Sequence, residues 1–210
     1  YYHIYNRGID KRIIFNGNKD YERFIMLLYI SNSKEERSPR LDNLINHSNK
    51  SLAEIMVLDK GESLVSIGAW CLMPNHFHIL VKQEVDGISK FMKKIGTGYS
   101  MYFNIRYDRQ GSLFGGPFKS KLIGQDDNYM RQLLAYIHLN PLDINFSGWD
   151  KNTHNKELKD FLESYNYSSY LDFIGSDRLE SNILNRNSFP EYFLSEKSFK
   201  DFVENYFITS

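Results

Sequence analysis

The run from Ala69 to Val81, AWCLMPNHFHILV, constrains this chain more than any other stretch. It is apolar enough for an interior, yet Met73-Pro74-Asn75 divides it, because proline interrupts a hydrogen-bonded ladder and lets the chain turn. Read as a strand, the part after the turn alternates faces with period two, so His76 and His78 project from one side and Phe77 from the other. Two imidazoles on one face can grip one metal ion.

Length and charge bound the rest. The 210 residues, 41% hydrophobic and 15% aromatic, suffice for one sizeable core and suggest a soluble globular protein. A lone cysteine, Cys71, excludes a disulfide framework and a cysteine-rich zinc site, which suits a reducing cytosol. No apolar run approaches the roughly 20 residues that span a bilayer, and no signal-peptide pattern opens the sequence, so the expected location is the cytoplasm, with no membrane partner. Lys and Arg total 26 and so do Asp and Glu, which leaves no global signature of nucleic-acid binding. Locally the balance is uneven: the segment from Lys82 to Gln125 is cationic, and beyond Trp149 acidic residues predominate. An acidic tail region can mask a basic binding face in the sum.

Periodicity gives a coarse element order. Tyr1 to Asn6 reads as a strand ending at Arg7-Gly8, and DYERFIMLLYI as an amphipathic helix from Asn18 or Asp20 to about Ile30. Residues from Ser31 to about Ser51 read as a long polar loop. Ala53 to Leu58 and Leu64 to Leu72 read as strands around a Lys60-Gly61-Glu62 turn. After the histidine strand come a helix from about Gly87 to Tyr107, a strand around Phe118 to Ile123, and a helix from Asp126 or Asp127 to Asn140-Pro141. The remainder suggests a helix over Lys156 to Ser164, an irregular YNYSSYLDF stretch and a terminal amphipathic helix in EKSFKDFVENYF.

Tyr136 and Asn140 form a second constellation. Four residues apart on a helix means about 400° of rotation and about 6 Å of rise, so both share a face one turn apart. Laid across the histidine strand, that helix would complete a centre of two imidazole nitrogens, an amide oxygen and a nearby phenol. Such nitrogen and oxygen ligation with open positions suits Mg²⁺ or Mn²⁺ better than a closed structural zinc. Each residue also has a plain structural use: a strand HxH is more often a half-buried polar face, a tyrosine near a helix end packs, and Asn140 before Pro141 can end a helix.

Taken together, YHIYNRG, MPNHFHILV, GYSMYFNIRYDRQGSLFGGPFKSKLI and YIHLNPL closely resemble the single-tyrosine transposases, in particular those associated with repetitive extragenic palindromes. The resemblance runs from Tyr1 to about Phe146 and identifies HFH as the histidine-bulky-histidine signature of the HUH endonucleases. It implies an α+β fold, a ferredoxin-like (RRM-like) antiparallel sheet with helices packed on one face, over residues 1–146, to which the residue pattern beyond adds a mainly helical C-terminal extension over 147–210. It further implies that Tyr136 attacks a DNA phosphodiester, that Asn140 joins His76 and His78 as metal ligands, and that single-stranded DNA or a DNA hairpin is the partner. Monomers and homodimers both occur in such families, so assembly stays open. Pro117 stands where many members carry arginine.

The chemistry suits that assignment. A phenol of pKa near 10 is about one part in a thousand ionised at pH 7, roughly 4 kcal/mol against a phenolate nucleophile, and a divalent metal offsets much of this by stabilising charge on the phosphate. Candidates for phosphate contacts are Arg7, Lys11, Arg12, Lys90, Lys93, Lys94, Arg106, Arg109, Lys119 and Lys121. Two other classes are a metal-dependent nuclease using water, with Tyr136 structural, and a domesticated hairpin-binding module without catalysis.

Overall fold

The computed structural model describes residues 1–35, 41–46, 50–124, 127–146, 156–190 and 198–203. In chain order these form β1 (Tyr2–Arg7), α1 (Asn18–Ile30), α2 (Leu41–Asn46), α3 (Leu52–Met56), β2 (Val65–Met73), β3 (His76–Gln83), α4 (Gly87–Arg106), β4 (Lys119–Leu122), α5 (Asp127–Leu139), α6 (Leu142–Asn145), α7 (Lys156–Ser164) and α8 (Tyr170–Phe173), with short 3-10 turns between some of them. The four strands make one antiparallel sheet in the order β2-β3-β1-β4. With α1 between β1 and β2, and α4 between β3 and β4, this is the βαββαβ order of a ferredoxin-like α+β fold.

Alternation along the strands sorts the core. Ile4, Phe77, Ile79 and Val81 face α1 and α4, where Phe24, Leu28, Phe91, Ile95 and Tyr99 complete the larger apolar cluster. Ala69, Cys71, Met73 and Leu80 face the other way, onto Met130, Leu134 and Ile137 of α5 and onto Leu158, Leu162, Tyr170 and Phe173 of the C-terminal segment. The sheet is thus covered on both faces, the second by α5 and the extension. Buried Asp20 ties α1 to α4, accepting from the Asn16 amide at 2.7 Å and from the hydroxyls of Tyr102 and Tyr107 at 2.9 and 2.7 Å.

Three local readings differ from the sequence expectation. Ala53 to Leu58 is not a strand: α3 occupies that stretch, nucleated by a capping box in which Ser51 accepts from the Glu54 amide and Glu54 reaches back to the Ser51 amide. Lys60-Gly61-Glu62 is therefore not a strand-to-strand hairpin turn. The expected Ser31 to Ser51 loop contains α2, while 36–40 and 47–49 lie outside the described residues. Within YNYSSYLDF the chain closes the helical turn α8 and caps the free edge of β2, through Leu72 N to Tyr167 O and Ser169 N to Trp70 O, both 2.9 Å. Of the expected terminal helix, 198–203 is helical and the rest lies outside the described residues.

Candidate active site

The turn at Met73-Pro74-Asn75 is held by β1 and the segment after it. Pro74 O accepts from the amides of Ile14 and Phe15 at 2.8 and 3.1 Å, and Asn75 O accepts from Gly8 N at 2.9 Å. This fixes where β3 starts. In the resulting register Arg7 pairs with His76, Tyr5 with His78 and His3 with Leu80. Directly opposed residues share a face, so His3, Tyr5, Arg7, His76 and His78 all point toward α5. β4 adds Lys119 beside Tyr5 and Lys121 beside His3.

α5 brings Tyr136 and Asn140 onto that face. The Tyr136 ring lies edge-on to His78, centroids 5.2 Å apart, and 6.2 Å from His3. His76 and His78 meet at 4.9 Å, nearly perpendicular. His76 Nε2 is 3.2 Å from Asn140 Oδ1, and His76 Nδ1 is 2.6 Å from Asn75 Oδ1. His78 Nδ1 is 2.9 Å from His3 Nε2, whereas His78 Nε2 is buried with no hydrogen-bond partner. Tyr136 is 45% exposed while Asn140 is 5% exposed. The tyrosine is thus partly at the surface, with its amide neighbour beneath it.

Burial governs the electrostatics. It lowers His76 to about 4, helped by the nearby Arg7 charge, and lowers His78 to about 2, helped by His76 and His3. His3 falls to about 4 by burial and by the Lys121 charge. At neutral pH all three rings are neutral, the form in which imidazole ligates metal. Burial raises the Tyr136 phenol above its ordinary value, opposed by a side-chain hydrogen bond with Asn140. The phenol on its own is a poor nucleophile.

Among the described residues no three His, Cys, Asp or Glu side chains are grouped to hold a metal. The donor set on offer is two imidazole nitrogens and one amide oxygen, and the unpartnered, buried Nε2 of His78 fits a cation better than it fits an apolar interior.

The cationic candidates divide between the two faces. Arg7, Lys119 and Lys121 are exposed on the histidine face, and Lys11 and Arg12 lie in the turn after β1. Lys90, Lys93, Lys94 and Arg106 lie on α4, across the sheet, and Arg109 follows it. Lys94 donates to Ser33 O at 2.7 Å, and Arg106 lies 3.5 Å from Asp20. Sequence reading weighed His3 as reaching the site from the neighbouring strand without placing it among the site residues, and did not single out Tyr5 or Asn75, although the alternation in YHIYNR already put His3, Tyr5 and Arg7 on one face.

No described helix is long and apolar enough to cross a membrane. The solved structure of a REP-associated tyrosine transposase bound to a REP hairpin is similar to this chain at 14% identity and a TM-score of 0.48, covering 85% of this chain and 82% of that one. No curated protein matches. The family model described as transposase, IS200-like, matches residues 1–140, from β1 through Asn140, and the chain accordingly belongs to that family of single-tyrosine transposases.

Proposed function

We propose that Tyr136 is the nucleophile of this transposase and that His76, His78 and Asn140 hold a divalent cation, Mg²⁺ or Mn²⁺, beside it. One observation carries the reading: His78 Nε2 is buried without a partner while His76 Nε2 and Asn140 Oδ1 face each other at 3.2 Å, next to the Tyr136 ring. His76 Nδ1 lies 2.6 Å from Asn75 Oδ1, and a His76 that donates there turns the Nε2 lone pair toward the cation position. When bound, the cation supplies positive charge to the scissile phosphate and orients it for in-line attack.

The chain's own residues do the rest. Asn140, four residues after Tyr136 and bonded through its backbone amide to the Tyr136 carbonyl, sits beside the phenol and aims it. The Tyr136 oxygen bonds to phosphorus as the bond from phosphorus to the 3′ oxygen breaks. The phenol gives up its proton, the departing oxygen takes one up, and a 5′-phosphotyrosine and a free 3′ hydroxyl result. One phosphodiester has replaced another, so the reverse attack by a 3′ hydroxyl reseals a strand without an external energy source.

The substrate we propose is single-stranded DNA beside a hairpin, its backbone drawn to Arg7, Lys119 and Lys121 around the site, with Lys11, Arg12 and the α4 cations reaching the flanking hairpin. Tyr136 and the three ligands come from one chain, which supports a single chain sufficing for nicking; a homodimer would carry two such sites. The test is to incubate the protein with hairpin-bearing single-stranded oligonucleotides and Mn²⁺ and resolve the products on a denaturing gel. A covalent protein-DNA adduct is expected, lost in Tyr136→Phe. An adduct that persists in the variant, or cleavage without any adduct, removes Tyr136 as nucleophile, and hairpin binding with no nicking at all makes the protein a binding module.

A further inference from the structure

We infer that His3 is a positioning residue for this site: by accepting a hydrogen bond from His78 Nδ1–H, it fixes His78 in the tautomer whose Nε2 carries a free lone pair. The inference rests on the reading of His78 as a metal ligand. The contact is 2.9 Å between His3 Nε2 and His78 Nδ1, and both side chains are buried. The rings lie 5.1 Å apart at 26°. Because Tyr5 pairs with His78 and His3 with Leu80, His3 is the diagonal neighbour of His78 on the same sheet face, held by backbone hydrogen bonds on both sides of β1.

A proton sits on only one side of that contact. If His3 donated, His78 would accept at Nδ1 and would have to carry its own proton on Nε2. That atom is buried with no partner, so the arrangement strands an N–H donor in the interior. If His78 donates instead, its Nδ1–H is satisfied and the unpartnered atom is a lone pair, on a ring that lies 4.9 Å from His76 and 5.2 Å from Tyr136 between centroids. Only the second state can ligate a cation through Nε2. Histidine ligands in general owe their tautomer and ring orientation to the acceptor opposite the metal, and losing it weakens metal binding about ten- to a hundredfold. In this fold the acceptor is another imidazole, supplied by β1. His3 does not touch the reacting atoms and acts through His78.

Three measurements on the full chain decide the matter. Long-range nitrogen-proton correlation spectra of the metal-free protein should show His78 protonated at Nδ1 and bare at Nε2. A proton on Nε2 overturns the inference, with no variant needed. Calorimetric titration with Mn²⁺ should then show His78→Ala losing the site and His3→Leu binding about ten- to a hundredfold more weakly. His3→Gln should stay close to wild type, because the Gln amide oxygen reaches where Nε2 stands and accepts the same proton. If His78→Ala binds Mn²⁺ like wild type, the metal-site reading itself fails. If His78→Ala loses binding but His3→Leu does not, the metal site stands and the positioning role of His3 falls. Should His3→Leu fold poorly by circular dichroism, a His3→Gln protein that folds yet binds as weakly as a ligand mutant equally overturns it.

Discussion

The raised pKa of Tyr136 sets the behaviour of the site at the scale of a single residue. Burial disfavours the phenolate, and the Asn140 hydrogen bond only partly opposes this. The phenol is therefore protonated throughout the neutral range, and its ionised fraction grows up to about tenfold per pH unit below its pKa. If deprotonation precedes attack, the single-turnover rate of adduct formation at saturating Mg²⁺ should climb with pH from 7 to 9 and approach that slope. A flat profile measured by quenched gel assay would mean that the proton leaves only as the bond forms. Asn140→Ala removes both a proposed ligand and the neighbour that opposes the rise in the phenol pKa. It should therefore slow adduct formation at least about a hundredfold, more than a loss of affinity repaired by excess Mg²⁺ would explain.

At the scale of the element, the question is what keeps α5 over the histidines. Its anchor is His138, fully buried between Tyr136 and Asn140 in sequence but turned to the other side of the helix. His138 Nδ1 donates to Leu134 O at 2.8 Å, leaving Nε2 to accept from Ser169 Oγ at 2.8 Å; Ser169 Oγ in turn accepts from Trp70 N at 2.9 Å on the edge of β2. Ser169→Ala should cost about 1–3 kcal/mol in urea unfolding, because it strands two buried polar groups. His138 has its own acid signature. Burial lowers it from 6.5 to about 3, so the unfolded chain takes up the proton first. Its contribution is intact above pH 6.5 and is lost as pH falls toward 3, by up to about 1.4 kcal/mol per pH unit. His3, His76 and His78 act in the same direction, so His138→Gln should make the acid limb of the stability curve shallower without abolishing it.

Much of this arrangement was legible from short-range pattern. The HFH alternation and the four-residue step from Tyr136 to Asn140 depend only on strand and helix periods, and the structure brings those four side chains together. Ala53 to Leu58 misled because a short apolar run fits either period. The arbiter was Ser51 and Glu54, a capping-box spacing that announces a helix start. The pairing of His3 with His78 could not be read, because it depends on the register between β1 and β3, strands more than seventy residues apart. The Ser169 tether is hidden for the same reason: its partners come from α5 and from the edge of β2.

For the whole molecule, the sheet divides the cations into two populations. A net charge of zero conceals that Arg7, Lys119 and Lys121 surround the histidine face while Lys90 and Lys93 stand exposed on α4 behind it. On the proposed reading a short unstructured strand at Tyr136 meets the first group, and an attached hairpin meets the second. Removing one cation that neutralises a phosphate of single-stranded DNA lowers the salt dependence of binding by about 0.7 in the slope of log K against log salt. Lys119→Ala and Lys121→Ala should therefore each weaken binding of a hairpin-free oligonucleotide and flatten its slope by about that amount. Lys90→Ala and Lys93→Ala should leave that oligonucleotide unaffected and flatten the slope only when the hairpin is present. Anisotropy titrations across a range of salt concentrations, with both oligonucleotides and all four variants, separate the faces. An equal effect of the α4 lysines on the hairpin-free strand would mean that the cleaved strand runs over the helical face, on the wrong side of the sheet from Tyr136.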